Sequence, residues 1–312
     1  MEEQLLKFLK YCFMAVMRRL GIEIKAACKH FVCSLRRILH LFLRFLNVFK
    51  EDLPEDDIKQ KVIDLRKLIR EDDKLKNIRN DDTYLLRFLN CTDFDVESAF
   101  LRVQGFHNLI LENPNWFKAT SPLDMQNQIE NNAKAMILEP DRDGRSIYLC
   151  KFGKTNGNLM EQVQLDELWF ESVMDDPNVQ ASGISVIMDM QGCSFKSFQW
   201  LTPSNLLMIS NIANLYPCKE IVYHVVNTSF WVDAGIKMIW PLIGDGIKEK
   251  VKFHFDDWSS LHQFIRPEVL PPEYGGSAEN IDFEQLYKWL FLQDSIIRKK
   301  LEYRNLFQNS SL

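Results

Sequence analysis

Between Ser34 and Lys50 the apolar residues Leu35, Leu39, Phe42, Leu46 and Phe49 recur at intervals of three and four, while Arg36, His40 and Arg44 form a separate stripe four residues apart. That period predicts an amphipathic helix with one greasy and one basic face. From Asp57 to Trp116 the pattern stays helical. Asp81 or Asp82 is placed to cap a helix through Tyr84, Leu85, Phe88 and Leu89. Asp93 is placed to cap a second, with Val96, Phe100, Val103, Phe106 and Ile110 along one side, and Asn113-Pro114 ends it. A small helical bundle is expected here.

From about Met125 the texture changes to short apolar runs alternating with longer helical segments. Asp141-Arg142-Asp143-Gly144 signals a turn into a strand over Ser146 to Lys151, and Ile184 to Met190, Ile221 to Val226 and Val251 to Phe255 read as further strands. Helices are expected near residues 165–174, 203–215, 229–243 and 259–265, with one or two more over 282–307. Such alternation predicts an α/β sheet with at least some parallel pairing. The predicted organisation is a basic amphipathic extension (1–50), a helical N-terminal domain (51–120), an α/β domain (121–280) and a C-terminal helical tail (281–312).

Charge sharpens this division. Residues 1–50 carry ten Lys/Arg against three acids, a net +7, while the other twenty-eight basic and forty acidic residues leave the body at −12. An acidic body disfavours nucleic acid as a partner, and the basic head is suited to an anionic surface. The head helix can lie in a membrane interface, pack its stripe on its own protein, or form a poorly ordered extension. No run of 18 uncharged apolar residues predicts a membrane span. The start Met1-Glu2-Glu3 lacks the flanks of a secretory signal, so a cytoplasmic location is expected, with peripheral membrane association. Seven cysteines without framework spacing read as reduced thiols. Cys28, His30 and Cys33 lack the second ligand pair that zinc needs, and neither a metal nor a cofactor is expected.

Enzyme signatures fail one by one. Gly183-Ile184-Ser185 lacks the second glycine of a nucleophile elbow, since Ile187 stands there. Gly153-Lys154-Thr155 has Tyr148 where a phosphate loop needs its upstream glycine. The loop opened by Asp141 reaches Phe152 at its twelfth position, not a glutamate. His107, His224, His254 and His262 have no paired nucleophile in the sequence pattern. A non-enzymatic protein is expected. The stretch Ser229 to Ile243, by contrast, is apolar on more than one face and needs two apolar neighbours, either core on both sides or core and a lipid, partner or membrane.

The ordered set Leu85-Leu86-Arg87-Phe88-Leu89, Asp93-Phe94-Asp95, Asp141-Arg142-Asp143-Gly144-Arg145, Ile187-Met188-Asp189-Met190-Gln191-Gly192, Tyr216-Pro217, Val225-Val226-Asn227, Ile247-Lys248-Glu249-Lys250-Val251 and Leu270-Pro271-Pro272-Glu273-Tyr274-Gly275-Gly276 resembles the CRAL-TRIO lipid-transfer family, in its alpha-tocopherol transfer protein and retinaldehyde-binding protein branch. The resemblance covers about residues 55–285 and leaves the head outside. It implies an N-terminal helical bundle followed by an α/β/α lipid-binding domain, whose mixed sheet floors a cavity closed by a mobile gate helix, here Ser229 to Ile243. The implied lining is Met188, Cys193, Leu201, Ile209, Ile212, Tyr216, Cys218, Tyr223, Trp231, Ile236, Met238, Ile239 and Leu242. Ser185, Tyr148, Tyr223 or Cys193 would orient the ligand's polar end.

The implied function is to bind a small hydrophobic lipid, retinoid-, tocopherol- or phospholipid-like, and transfer it between membranes. The rival is a phosphoinositide- or lipid-sensing interaction module without net transfer. The branch's phosphoinositide-reading basic cluster is represented by Lys219 and Lys250, with Lys248 nearby, while Asn90, Thr92, Ile221 and Gly246 stand at its other positions. Arg36, Arg37 and Arg44 of the head are the other candidate membrane contacts.

Overall fold

The structure, a computed structural model, describes residues 53–193, 200 and 202–309. The chain divides at Asp57 into two units, of which the second, Ile58–Leu312, holds the sheet and the helices around it. The predicted amphipathic extension, with Arg36, Arg37 and Arg44, lies outside the described residues, as does Leu201.

Helices of ten or more residues are numbered α1 to α8. The helical domain contributes α1 (Glu55–Glu71), α2 (Asp82–Cys91) and α3 (Val96–Glu112). Asp81 caps α2, accepting the Tyr84 amide at 3.1 Å. The cap of α3 is Asp95, which accepts the Ser98 amide at 2.8 Å, rather than Asp93. The reason is the tightness of the turn: Asp93 (φ 50°) and Phe94 (φ 62°) are both left-handed, and the Phe94 amide closes back on the Leu89 carbonyl at 2.8 Å. Asp95 is therefore the first extended residue ahead of the helix.

The sheet has five strands in the order β1-β2-β3-β4-β5. They are β1 (Lys134–Pro140), β2 (Ser146–Lys151), β3 (Ile184–Asp189), β4 (Ile221–Val226) and β5 (Val251–Phe255). β1 runs antiparallel to β2 and the other pairs are parallel, so the sheet is mixed. Four strands match the sequence pattern closely; β1 does not announce itself, because Lys-Ala-Met-Ile-Leu-Glu is made largely of good helix formers. Pairing at the sheet edge overrides that propensity. The crossovers are α4 (Leu159–Glu171), α5 (Pro203–Leu215) and α6 (Phe230–Ile239), and the tail is α7 (Phe283–Leu292) and α8 (Asp294–Asn309). α4 starts earlier than its apolar pattern predicts, at the capping box of Asn158 with Glu161.

Strand alternation separates two cores. Met136, Tyr148, Cys150, Ile184, Val186 and Ile221 join the helical domain, α4 and the tail in one. Ile137, Ile147, Leu149, Ile187 and Val226 meet Leu261, Ile265, Leu270 and Tyr274 in the other. Two glycines allow close backbone approach. A Cβ on Gly153 would stand 2.1 Å from the Gln191 carbonyl oxygen, and one on Gly276 1.9 Å from that of Leu270. Gly153 thus serves packing between the loops after β2 and β3.

Ion pairs bind the helical parts to α4. The buried Arg87 of α2 grips Glu171 through two bonds of 2.7 and 2.9 Å and also meets Asp175. The buried Arg304 of α8 grips Glu167 through two bonds of 2.5 Å. Removing one partner of such a pair strands a charge in the interior, at a cost of about 3–5 kcal/mol. Arg304→Ala is expected to lose about that much in urea unfolding, while Lys288→Ala, at an exposed pair with Glu284, leaves the midpoint unchanged.

Candidate functional site

The sheet face toward α4 is covered in two different ways. Over β1 and β2 the cover is tight: Lys134, Met136, Tyr148 and Cys150 are all buried. The Tyr148 hydroxyl donates to Asp166 of α4 at 2.6 Å, and the Lys134 ammonium meets the same carboxylate and the Gln162 carbonyl. Over β3, β4 and β5 the cover is uneven: Ile221 and Val225 of β4 are buried on this face, but other positions are not. Met188 and Tyr223 are half-buried although β3 and β4 are interior strands, and Val251 and Phe253 of β5 are half-buried too. Met208 and Ile212 of α5 belong to the same apolar cluster as Met188 and Tyr223, and they too are half-buried. Protein interiors are close-packed. Apolar side chains left partly open on both the sheet and its helical cover make this region the candidate for an apolar ligand.

α6 leads into a turn that reaches β5, and it is lightly seated. Ser229 caps it, accepting the Val232 amide at 3.3 Å, and only Val232 and Gly235 are buried. Trp240, in the single 3-10 turn that continues it to Leu242, touches the Phe253 ring with centroids 5.1 Å apart. Phe230, Trp231, Met238 and Leu242 are 76%, 66%, 71% and 63% exposed, and Leu207 of α5 is 63% exposed. A surface this apolar marks an interaction site. At the C-terminal ends of the strands, where α/β sheets commonly take ligands, an open cleft of about 650 Å³ is lined by Gln191, Asn227, Thr228, Asp233, Phe255 and Asp256. It adjoins the start of α6.

Met188, Ile212 and Tyr223 are half-buried against the larger core, and Ile209, Ile236 and Ile239 are half-buried on the covering helices. Trp231, Met238 and Leu242 lie on the exposed surface of the gate segment. Cys193 sits in the turn after β3, its amide bonded to the Met190 carbonyl at 3.1 Å. Tyr216 turns away into the core, its ring 5.9 Å from Phe106 and 5.7 Å from Phe170. Cys218 is buried and donates to the Glu220 carbonyl at 3.3 Å. Ser185 belongs to the opposite face.

Of the candidate cations, Lys219 pairs with Asp93 and Lys248 with Asp245. Lys219 and Lys250 are both near enough to Cys91 to oppose the upward push of burial on its thiol, which still reaches about 11. Arg102 of α3 joins them there, anchored to the Tyr216 carbonyl at 2.7 Å. No pattern in the chain singles out Arg102, which lies outside every matching motif.

On the opposite face runs a chain of hydrogen bonds. Ser185 Oγ donates to Asp141 Oδ2 at 2.9 Å, so it accepts from His224 Nε2 at 3.1 Å. His224 Nδ1 then accepts from His254 Nε2 at 2.9 Å, and His254 Nδ1 from Ser260 at 2.8 Å. Burial first, then mutual repulsion, depresses His224 to about 3; burial depresses His254 to about 4. Burial likewise holds His107, bonded to the Val103 carbonyl and facing the Tyr84 hydroxyl, at about 4.

The match to known proteins fits this architecture. Residues 130–276 match the CRAL/TRIO domain. The matched stretch takes in all five strands of the sheet and the crossover helices α4 to α6. The chain is 26% identical over 233 residues to clavesin-2 of Homo sapiens, covering 73% of this chain and 71% of that protein. It is 29% identical over 234 residues to clavesin-1 of Rattus norvegicus, covering 73% of this chain and 66% of that one. Its fold is similar to the crystal structure of Sfh5, with a TM-score of 0.50 and 15% identity over 79% of this chain and 99% of the other.

The histidines generate a pH dependence with a definite sign. Unfolded histidine titrates near 6.5, whereas these three refuse a proton until about pH 4 or below. As pH falls from 6.5 the unfolded state takes up protons that the folded state does not, so stability declines by up to about 1.4 kcal/mol per pH unit for each histidine. Urea unfolding between pH 6.5 and 4.5 is expected to show this decline and His254→Gln to reduce its slope; a flat profile would contradict the buried neutral histidines.

Proposed function

We propose that the space over β3, β4 and β5 holds one small hydrophobic lipid of retinoid or tocopherol type, and that α6, with its continuation to Leu242, is the gate through which it passes. The observation that carries the reading is the open apolar lining at interior strand positions beside a helix whose outer surface is itself apolar.

Energetics favour a carrier that works at membranes. Burying a lipid of some twenty methylenes contributes on the order of 16 kcal/mol relative to water. A bilayer shelters the same chain almost as well, so the net drive between membrane and protein is small. Exchange is then governed by opening at the membrane surface. The rings of Phe230 and Trp231 suit that surface, since they can leave water for the interfacial region as the gate opens. The basic head adds electrostatic attachment at about 1 kcal/mol per well-placed cation.

No catalytic step enters this reading: the serine–histidine contacts, Ser185 with His224 and Ser260 with His254, belong to the chain of bonds on the face away from the ligand and are committed to structure. The gathering of Arg102, Lys219 and Lys250 around Cys91 favours a second reading, in which an anionic lipid headgroup docks there and the protein senses it. Retention of ligand with partner binding would mark that alternative.

The double variant Phe230→Ala/Trp231→Ala is expected to slow transfer of a fluorescent lipid between vesicles at least tenfold. Its urea midpoint is expected to stay within the range of ordinary surface changes, about 0.5 kcal/mol, because both side chains are exposed. Unchanged transfer would remove α6 from the gate.

A further inference from the structure

A lipid in this chamber has few polar groups to meet, and most of them are already engaged. Ser185 lies on the other face of the sheet, held between Asp141 and His224. Tyr148 gives its proton to Asp166. Lys134, the cation that the described strands place on this face, is buried and paired with the same carboxylate. Tyr223 differs from all of these. It stands on interior strand β4, paired in register with Val186 of β3 and Val251 of β5, and both neighbours are apolar. Its side chain is half-buried against the larger core, to which Met188, Met208 and Ile212 also pack. Its hydroxyl has no hydrogen-bond partner among the described residues. Burial, with Cys218 and Asp166 adding to it, holds the phenol protonated well beyond the ordinary tyrosine range, so it remains both donor and acceptor.

We infer that the Tyr223 hydroxyl anchors the polar end of the bound lipid, and that this end is a small neutral group, a hydroxyl or carbonyl oxygen, rather than a phosphoester. The neutrality comes from the surroundings. A phosphate would enter an apolar wall whose cation is already neutralised by Asp166, and burying a charge without a partner is costly. A hydroxyl or carbonyl needs only one hydrogen bond, which the phenol supplies without moving any other group.

This inference rests on the chamber reading, and matched probes separate the two. The full chain is titrated with 10-(1-pyrenyl)decanol, with 1-pyrenyldecane, which lacks the hydroxyl, and with a pyrenyl-labelled phosphatidylcholine, each presented from phosphatidylcholine vesicles. Wild-type protein is expected to hold the alcohol about fivefold more tightly than the hydrocarbon, the size of one net hydrogen bond. Tyr223→Phe is expected to abolish that preference while leaving hydrocarbon binding unchanged, which also reports that the variant is folded. An undiminished preference in Tyr223→Phe overturns the anchor and leaves the chamber standing. Tighter binding of the phosphatidylcholine probe than of the alcohol overturns the neutral head. Failure of wild type to hold even the hydrocarbon overturns the chamber and the anchor with it.

Discussion

An interior strand of a sheet must have both faces covered, and in this protein the cover over one face of β3 and β4 leaves Met188 and Tyr223 partly open. That unmet packing requirement organises the rest. Close packing would place apolar side chains from α5 and α6 against Met188 and Tyr223, yet these residues and their neighbours on the helices remain half-open. Voids lined by apolar groups lose dispersion contacts on every wall. An apolar guest restores those contacts, which is the physical basis for reading the region as a binding chamber.

A lightly sealed region is tolerated in this domain because the other half is strongly tied. Arg87 with Glu171 and Arg304 with Glu167 join α2 and α8 to α4, and α4 closes over β1 and β2 with Tyr148 and Lys134 satisfied on Asp166. Behind the sheet, the chain from Asp141 through Ser185, His224 and His254 to Ser260 crosses β3, β4 and β5 and holds their rear face in register. Against this frame α6 buries two residues and exposes four large apolar ones, counting its continuation to Leu242. Local opening draws on the least-anchored elements. The division between a rigid floor and a lightly held cover is thus written into where the charged pairs sit.

Much of this frame is legible in the chain. The β-branched runs of β3 and β4 and the turn at Asp141–Gly144 mark the central strands, since such runs suit only buried extended backbone. β1 is hidden because its residues favour helix and only its partner makes it a strand. The shift of the α3 cap from Asp93 to Asp95 depends on two left-handed residues that composition does not specify. The lining is legible as a set but not residue by residue. Tyr216 and Cys218 sit near β4 in sequence, yet the end of α5 turns them into the core, whereas Met188 and Tyr223 follow strand alternation and face the chamber side. Arg87 and Glu171 lie 84 residues apart, beyond the reach of any local pattern. Tyr223 could be named among four polar candidates from sequence, but only the bonds made by Tyr148 and Ser185 separate it from the other two hydroxyls in that set.

The most direct test is native mass spectrometry of the full chain purified from the cells that make it, with lipid extraction, beside the variant Met188→Trp, which adds bulk to the chamber floor. Wild-type protein is predicted to carry the mass of a single lipid, and the variant to have lost it while remaining folded. A wild-type chain that carries none and takes up no hydrophobic probe, or a variant that keeps the same cargo, would contradict the existence of the chamber.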